Sequence, residues 1–108
     1  MLKSFFKAAI FFFCFLIGAS FSNPLFALDE EKLKYILKHD CGSCHGMTLK
    51  GGLGLPLNEL GRREWKEIKM IILFGRKGTA MPAWRTLLTD AEGEWLAKYL
   101  VQKSRKIK

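Results

Sequence analysis

Two thiols and an imidazole stand close together in Cys41-Gly42-Ser43-Cys44-His45. Two cysteines three residues apart, followed at once by a histidine, form the pattern that covalent attachment of a c-type haem requires. Each thiol adds to a vinyl group of the haem, and the adjoining imidazole reaches the iron from the same side. The spacing therefore predicts that Cys41 and Cys44 bind haem c covalently and that His45 is the proximal ligand of its iron.

Two other kinds of site use the same residue types. A zinc site needs four ligands in tetrahedral geometry. Apart from Cys14, which lies in the apolar N-terminal segment expected to be a leader, only His39 would add to the three side chains of the motif, which the sequence places in one loop. A thioredoxin-like redox pair would sit inside a βαβ pattern, yet the chain has no β-branched strand run. Both alternatives are therefore less favoured than haem attachment.

A second iron ligand is predicted at Met81, in the segment Gly78-Thr79-Ala80-Met81-Pro82-Ala83-Trp84. A thioether is a soft ligand that suits haem iron, and the fixed φ of Pro82 helps an irregular loop to aim it. Met70 is the alternative, but it lies inside a predicted helix and is expected to pack. Met47 follows His45 too closely to reach the opposite side of the ring, and His39 is expected to be a solvated polar residue.

The N-terminal residues 1–27 have the features of a secretory signal peptide. Lys3 and Lys7 give a positive start, residues 8–17 form an uncharged apolar core, and Ala27 offers a small residue for cleavage before Leu28. An earlier cut, or a retained membrane anchor, are the alternatives. Residues 28–108 would then form a single domain in the periplasm, where covalent haem attachment follows export.

The periodicity of apolar residues predicts an all-α domain. Helices are expected over residues 29–38, over residues 62–74 and from the capping box Thr89-Asp90-Ala91-Glu92 onward. Glycines crowd residues 46–56, which predicts a loop. Trp65, Ile68, Ile71 and Ile72 share one helical face that could form a wall of a haem pocket, and residues 102–108 are expected to be a solvated basic end.

The charge balance limits the partners. The chain carries a formal net charge of +8, and export argues against nucleic acid as the target, which leaves acidic protein surfaces or anionic membrane. Four basic residues flank the two loops that are expected to border the haem edge, and they could steer an acidic partner: Lys50, Arg76, Lys77 and Arg85. A mature domain of this size buries a marginal core by itself, so a largely apolar haem would enlarge that core.

These elements, in this order, resemble the class I monohaem cytochromes c over the whole mature chain. The stretches CGSCHGMTLKGGLGLPL and GRKGTAMPAW are also similar to the small periplasmic cytochromes c encoded beside cytochrome cd-type nitrite reductase in denitrifying bacteria, the NirC type. The resemblance implies three to four helices wrapped around one covalently bound haem. It also implies thioether bonds from Cys41 and Cys44, with His45 as proximal and Met81 as distal iron ligand.

The resemblance implies two further contacts. In the family, a proline follows the loop glycine and its carbonyl accepts a hydrogen bond from the proximal histidine; this chain has Leu55 there, with Pro56 one place later. Because a backbone carbonyl is the acceptor, we expect the hydrogen bond to persist. The first and last helices cross in the family, and Tyr99 or Trp95 against the stripe from Leu33 to Leu37 would fit that crossing.

Single-electron transfer is the function that these expectations favour. The resemblance implies periplasmic nitrite reductase as acceptor and a membrane quinol-oxidising complex or another carrier as donor; a role in maturing the haem d of that enzyme is implied equally well. The protein is expected to be a monomer, with a membrane contact only if the leader is retained. The alternatives are a haem-based ligand binder or sensor with a displaceable sixth ligand, and a haem enzyme such as a peroxidase, which usually needs acid and base groups beside the open iron position.

Overall fold

The computed structural model describes residues 27–106. The expected signal peptide lies outside these residues except for its last one, Ala27. Within residues 27–106 there are four α-helices: α1 (Glu30–Ile36), α2 (Gly42–His45), α3 (Trp65–Phe74) and α4 (Asp90–Lys106). A π-helical turn (Leu37–Cys41) joins α1 to α2, and a 3-10 helix (Leu57–Arg62) precedes α3. Residues 27–106 contain no β-strand, which confirms the predicted all-α class, and none of their helices has the length and apolarity to cross a membrane.

The first helical stretch is longer than predicted. Asp29 caps it, because the backbone N–H of Lys32 donates to Asp29 Oδ1 at 3.0 Å. The sequence predicted an end near Lys38 and a loop around the cysteines, but the π-helical turn and α2 continue the helical backbone to His45. That prediction was wrong because Gly42 keeps helical torsion angles, and the left-handed φ of +86° that ends the helix comes only at Gly46.

The core lies where α1, α3 and α4 meet. Its most deeply buried side chains are Leu33 of α1 and Leu96 and Ala97 of α4, each at most 1% exposed. The predicted face of α3 contributes Ile68 and Ile72, both buried. These side chains recur at intervals of three and four residues, so each helix turns one apolar stripe toward the others.

Helices α3 and α4 approach each other at Gly93. A Cβ atom placed on Gly93 would lie 2.7 Å from Leu73 Cδ2, so only glycine allows this spacing. Across the same interface, Lys69 Nζ lies 2.6 Å from Asp90 Oδ2 and 3.6 Å from Glu94 Oε2. The N-terminal part of α4 is therefore held against α3 by close packing and by the Lys69 ammonium group, which contacts two carboxylates of α4.

The capping box at the start of α4 is present as predicted. The Thr89 N–H donates to Glu92 Oε2 at 2.7 Å, and the Glu92 N–H donates to Thr89 Oγ1 at 3.2 Å. Lys32 Nζ of α1 donates to Glu92 Oε1 at 3.3 Å. The cap therefore also joins the first helix to the last.

The C-terminal end of α4 is largely exposed, as predicted: positions 102, 103, 105 and 106 are exposed and only position 104 is buried. The helix continues to Lys106, Ser104 is 2% exposed, and Arg105 Nε donates to the Gly61 carbonyl at 2.9 Å. A Cβ atom on Gly61 would lie 2.8 Å from Ser104 Oγ, so the two segments are in close contact there. Ser104 and Arg105 thus contact the 3-10 helix, which the sequence did not predict.

Tyr99 lies near the first helix, as the family crossing suggested. It lines a groove of about 230 Å³ together with Leu37 and Lys34. Its ring stacks on that of Trp95, with centroids 4.9 Å apart. Both aromatic residues are only partly buried, so they lie at the edge of the core and not at its centre.

Leu49 anchors the glycine-rich loop. Its side chain is 5% exposed, its φ of +62° is rare for a residue with a Cβ, and its carbonyl accepts from Leu57 N at 2.9 Å and Asn58 N at 3.2 Å. The loop is therefore fixed to the core at one point and to the 3-10 helix at another. The 3-10 helix ends at Arg62 and Glu64 is extended, so α3 begins at Trp65 and not at the predicted Arg62.

Candidate haem site

The four predicted haem residues line one cavity. Cys41, Cys44, His45 and Met81 all border a cavity of about 1040 Å³. The π-helical turn and α2 supply the first three, and the loop between α3 and α4 supplies Met81. The walls are largely apolar and come from the π-helical turn, α3 and α4: Leu37, Ile68, Ile71, Ile72, Leu96 and Leu100. A volume of this size with convergent polar donors is typical of a cofactor site.

The two thiols differ in their surroundings. Cys41 is partly buried and Cys44 is exposed, and neither is in a disulfide. Burial, followed by the negative charge of Asp40, raises the pKa of the Cys41 thiol to about 11.

The imidazole of His45 has a fixed orientation. Its Nδ1 lies 2.7 Å from the carbonyl oxygen of Leu55. A carbonyl can only accept, so Nδ1 carries the proton and Nε2 keeps its lone pair for a metal. This is the hydrogen bond that the family pattern suggested, and Leu55 makes it where the family has proline.

The loop behind His45 fits closely against the ring. A Cβ atom on Gly54 would lie 2.6 Å from Cε1 and Nδ1 of His45. The Gly54 N–H donates to the Cys44 carbonyl at 2.7 Å, and the Gly51 N–H donates to the His45 carbonyl at 2.9 Å. The backbone of the glycine-rich loop therefore approaches the His45 imidazole closely, at a position that has no side chain.

Met81 is placed by contacts with the end of α3. Gly75 has a φ of +73°, and a Cβ atom there would lie 2.7 Å from the Met81 carbonyl oxygen. That carbonyl accepts from the Arg76 N–H at 3.2 Å. Met47 and Met70 are 52% and 55% exposed and do not line the cavity, so Met81 is the only methionine among residues 27–106 that does.

His39 lies away from the cavity. It is exposed and its ring is 4.3 Å from that of Tyr35, centroid to centroid. Within residues 27–106 no three side chains of His, Cys, Asp or Glu gather in a way that could hold a metal ion by themselves. The protein donors at this site therefore suit a metal that already has ligands of its own, as haem iron does.

The basic residues expected at the cavity mouth separate into two pairs. Lys50 and Arg76 line the cavity, whereas Lys77 and Arg85 do not. The guanidinium of Arg85 instead lies 5.3 Å from the centroid of the Phe74 ring. Arg63, which the sequence did not single out, also lines the cavity, and it pairs with Glu67 at 2.9 Å.

The sequence also did not predict three further residues that line the cavity: Pro56, Leu57 and Leu60. They belong to the 3-10 helix and its start, for which the sequence gave no periodic signal. Leu96 and Leu100 were predicted as the buried stripe of the last helix, and their place in the cavity wall follows only from how α4 crosses α3.

The residues present fit haem c. The cavity has apolar walls and is lined by two thiols, a thioether and an imidazole whose Nε2 is unprotonated. Because position 54 is glycine, no side chain there obstructs the imidazole. Cys41 and Cys44 would hold the group covalently, and His45 and Met81 would bind its iron.

Comparison with known proteins gives consistent relatives. The family model described as "Cytochrome C oxidase, cbb3-type, subunit III" matches residues 29–100. The chain is 40% identical over 89 residues to cytochrome c55X of Paracoccus denitrificans, covering 81% of this chain and 86% of that protein. It is 36% identical over 96 residues to cytochrome c55X of Pseudomonas aeruginosa, covering 87% of this chain and 80% of the relative.

A solved structure described as "c-type cytochrome NirC" superposes with a TM-score of 0.65 at 39% sequence identity, covering 68% of this chain and 88% of that one. Sequence and backbone therefore agree on the same relatives, and these relatives bind haem c with its iron. The chain belongs to the cytochrome c family that the model describes, as a small monohaem c-type cytochrome of the NirC type.

Proposed function

We propose that this cytochrome is a periplasmic electron carrier whose haem iron is ligated by His45 and Met81. The observation that carries the proposal is the convergence of both side chains, with Cys41 and Cys44, on one cavity. When bound, haem c supplies an iron that gains or loses one electron without a bond being made or broken.

The chain's own residues suit that task. The Leu55 carbonyl keeps the Nε2 lone pair of His45 available, and the contact of the Met81 backbone with Gly75 holds the thioether segment in place. A thioether favours the reduced metal and raises the potential. Because both axial positions have a protein donor, the arrangement fits a carrier and not an enzyme that needs an open iron position.

The cavity mouth suits brief contact with a negatively charged partner. Lys50 and Arg76 are exposed and border the cavity, and charges at such a position raise the rate of encounter more than the affinity. From the resemblance to the NirC type, we infer a periplasmic redox partner, with cytochrome cd-type nitrite reductase as acceptor or as the enzyme whose haem d is matured. Export by residues 1–27 and a mature domain of residues 28–108 are part of this proposal.

The ligand assignment is tested by replacing Met81 with alanine in the holoprotein. The Met81→Ala variant should lose the long-wavelength sulfur-to-iron band of the oxidised spectrum and should bind carbon monoxide when reduced, because one axial donor is gone. Met70→Ala is the matched control, since Met70 is exposed on α3 outside the cavity.

The parent protein decides between carrier and sensor in the same experiment. A reduced spectrum that carbon monoxide leaves unchanged supports a closed site and the carrier. A large shift in the unmodified protein would favour the ligand binder with a displaceable sixth ligand. A band that survives in Met81→Ala and disappears in Met70→Ala would contradict the assignment of Met81.

A further inference from the structure

The acceptor of the His45 hydrogen bond belongs to the residue before a proline. Leu55 provides the carbonyl, 2.7 Å from His45 Nδ1, and Pro56 follows it. The ring of a proline clashes with the preceding residue in the α region and pushes that residue to extended torsion angles. The restricted angle is ψ of Leu55, and rotation about ψ is what turns the Leu55 carbonyl toward or away from the imidazole.

The chain that follows Pro56 is held in place. It has φ −60° and ψ 125° and stands directly before the 3-10 helix, whose first N–H, from Leu57, donates to the Leu49 carbonyl at 2.9 Å. Its Cγ would lie 3.4 Å from a Cβ atom on Gly51. The proline ring therefore has a defined place from which it can restrict Leu55.

Gly54, the residue before Leu55, is also held in place. The Gly54 N–H donates to the Cys44 carbonyl at 2.7 Å, and Gly54 lies directly against the His45 ring. The Leu55 N–H makes no hydrogen bond within residues 27–106, so it does not orient the peptide. With both neighbours held, the ψ angle of Leu55 is the main freedom left to the acceptor carbonyl.

We propose that Pro56 is a positioning residue for the proximal ligand: by restricting ψ of Leu55, it holds the Leu55 carbonyl on Nδ1–H of His45. The hydrogen bond fixes the plane of the imidazole and strengthens its donation to the metal. This role rests on the proposed ligation of iron by His45. It differs from the family arrangement, in which the carbonyl belongs to the proline itself.

Replacing Pro56 by alanine tests the role while leaving the acceptor atom in place. In the reduced, diamagnetic holoprotein, solvent exchange of the His45 Nδ1 proton, followed by NMR, should speed up about threefold to tenfold in Pro56→Ala, which is the range expected when one hydrogen bond is weakened. The reduction potential should rise, because a weaker hydrogen bond makes the imidazole a poorer donor to oxidised iron. An exchange rate within twofold of the parent protein would overturn the proposal.

Thr48→Ala is the matched control in the same loop. Thr48 is exposed, does not line the haem cavity and makes no side-chain hydrogen bond within residues 27–106, so exchange should stay at the parent rate. Acceleration equal to that of Pro56→Ala would mean general loosening of the loop and would overturn the proposal.

The variant Pro56→Val separates the restriction of Leu55 from packing of the proline ring beside Gly51. Valine keeps a branched apolar side chain of similar size at this position but does not restrict ψ of the preceding residue. Exchange should therefore be about as fast as in Pro56→Ala. A return to the parent rate would mean that side-chain packing beside Gly51, and not the restriction of Leu55, holds the carbonyl, and would overturn the proposal.

The proposed function is checked separately in the parent protein. If His45 ligates the iron, the ring current of the haem shifts the His45 carbon-bound protons far upfield in the reduced state. Unshifted protons would contradict the ligation itself. Shifted protons, with unchanged exchange in Pro56→Ala, would overturn only the role of Pro56.

Discussion

Two glycines with a positive φ have different surroundings in the segment that ends at Met81. Gly75 has φ +73° and Gly78 has φ +77°. A Cβ atom on Gly75 would lie 2.7 Å from the Met81 carbonyl oxygen and 2.9 Å from the Pro82 carbonyl carbon, whereas nothing lies within 4 Å of a Cβ atom on Gly78. The positive φ therefore disfavours a side chain at both positions, while a steric clash with neighbouring backbone, together with a ψ of −175°, disfavours it further at Gly75.

Substitution of each glycine by alanine should separate these costs. Gly78→Ala should lower the free energy of unfolding by about 1 kcal/mol, the cost of a left-handed φ for alanine. Gly75→Ala should cost about 1–3 kcal/mol more, because the backbone of Met81 and Pro82 must shift.

Only Gly75→Ala should also admit carbon monoxide to the reduced holoprotein, since only there does the Met81 segment move. Denaturant titration and the visible spectrum measure the two effects. If the two variants lose the same stability and respond alike to carbon monoxide, Gly75 does not position the Met81 segment.

At the residue scale, residue type and short spacing predicted the haem motif, and the Met-Pro loop predicted Met81 as a residue of the same site; the structure brings all four side chains to one cavity, while ligation of iron by His45 and Met81 stays a prediction. The role of Leu49 could not be predicted. Its buried side chain, left-handed φ and doubly accepting carbonyl depend on where the 3-10 helix lies, which is a tertiary fact. The same holds for Gly61 and Gly93, whose missing side chains matter only because another helix lies against them.

Among the elements, α4 is tied to the rest of the fold at its first turn. The pKa of Glu92 is lowered by the hydrogen bond from the Thr89 backbone N–H and, to a smaller extent, by Lys32. The Glu92 side chain is 13% exposed in its ion pair with Lys32, so solvent screens it only in part. Because the pKa is lower in the folded chain than in the unfolded chain, the charged form of Glu92 stabilises the fold.

The contribution of Glu92 to stability is therefore lost in acid. The stabilisation is complete above about pH 4.3, the usual pKa of a glutamate in an unfolded chain, and it is lost as the pH falls through the lower pKa of the folded protein. Glu92→Gln should lower stability near neutral pH by about 0.3–1 kcal/mol, the range for an anion at a helix N-terminus. It should also make the loss of stability in acid less steep, measured by urea denaturation of the holoprotein between about pH 6 and pH 3.

Glu59→Gln is the control, because Glu59 is exposed in the 3-10 helix and has no ion pair within residues 27–106. Its stability should follow the parent protein at each pH. If the stability of Glu92→Gln falls as steeply in acid as that of the parent protein, the Glu92 carboxylate does not stabilise the fold in the way its contacts indicate.

The elements were predictable where a local signal exists. The capping box and the periodic stripes of α3 and α4 are such signals, and the structure has them. The continuation of the helix through the cysteines and the 3-10 helix were missed, because a glycine within a helix and a single tight turn resemble a loop in sequence. The contact of Ser104 and Arg105 with Gly61 was missed for another reason: it depends on where the 3-10 helix lies against the end of α4.

At the scale of the whole molecule, basic residues line both concave surfaces that meet at Leu37. The haem cavity is lined by Lys50, Arg63 and Arg76, of which Arg63 is paired with Glu67, and the smaller groove beside Tyr99 is lined by Lys34, Lys38 and Lys103. Among residues 27–106, Leu37 is the only one that borders both surfaces. The net charge of +8 attracts any anion, but only the basic residues of the haem cavity lie where an electron would enter or leave.

Charge reversal can therefore distinguish local steering from net charge. The double variant Lys50→Glu with Arg76→Glu should slow oxidation of the reduced holoprotein by hexacyanoferrate(III) about tenfold at low ionic strength, because encounter occurs at the cavity mouth. Lys38→Glu with Lys103→Glu changes the net charge by the same amount and should slow it much less. Stopped-flow measurements across a salt series check this, since the difference should shrink as the Debye length falls below about 10 Å. Equal slowing by both double variants would mean that net charge alone controls the encounter.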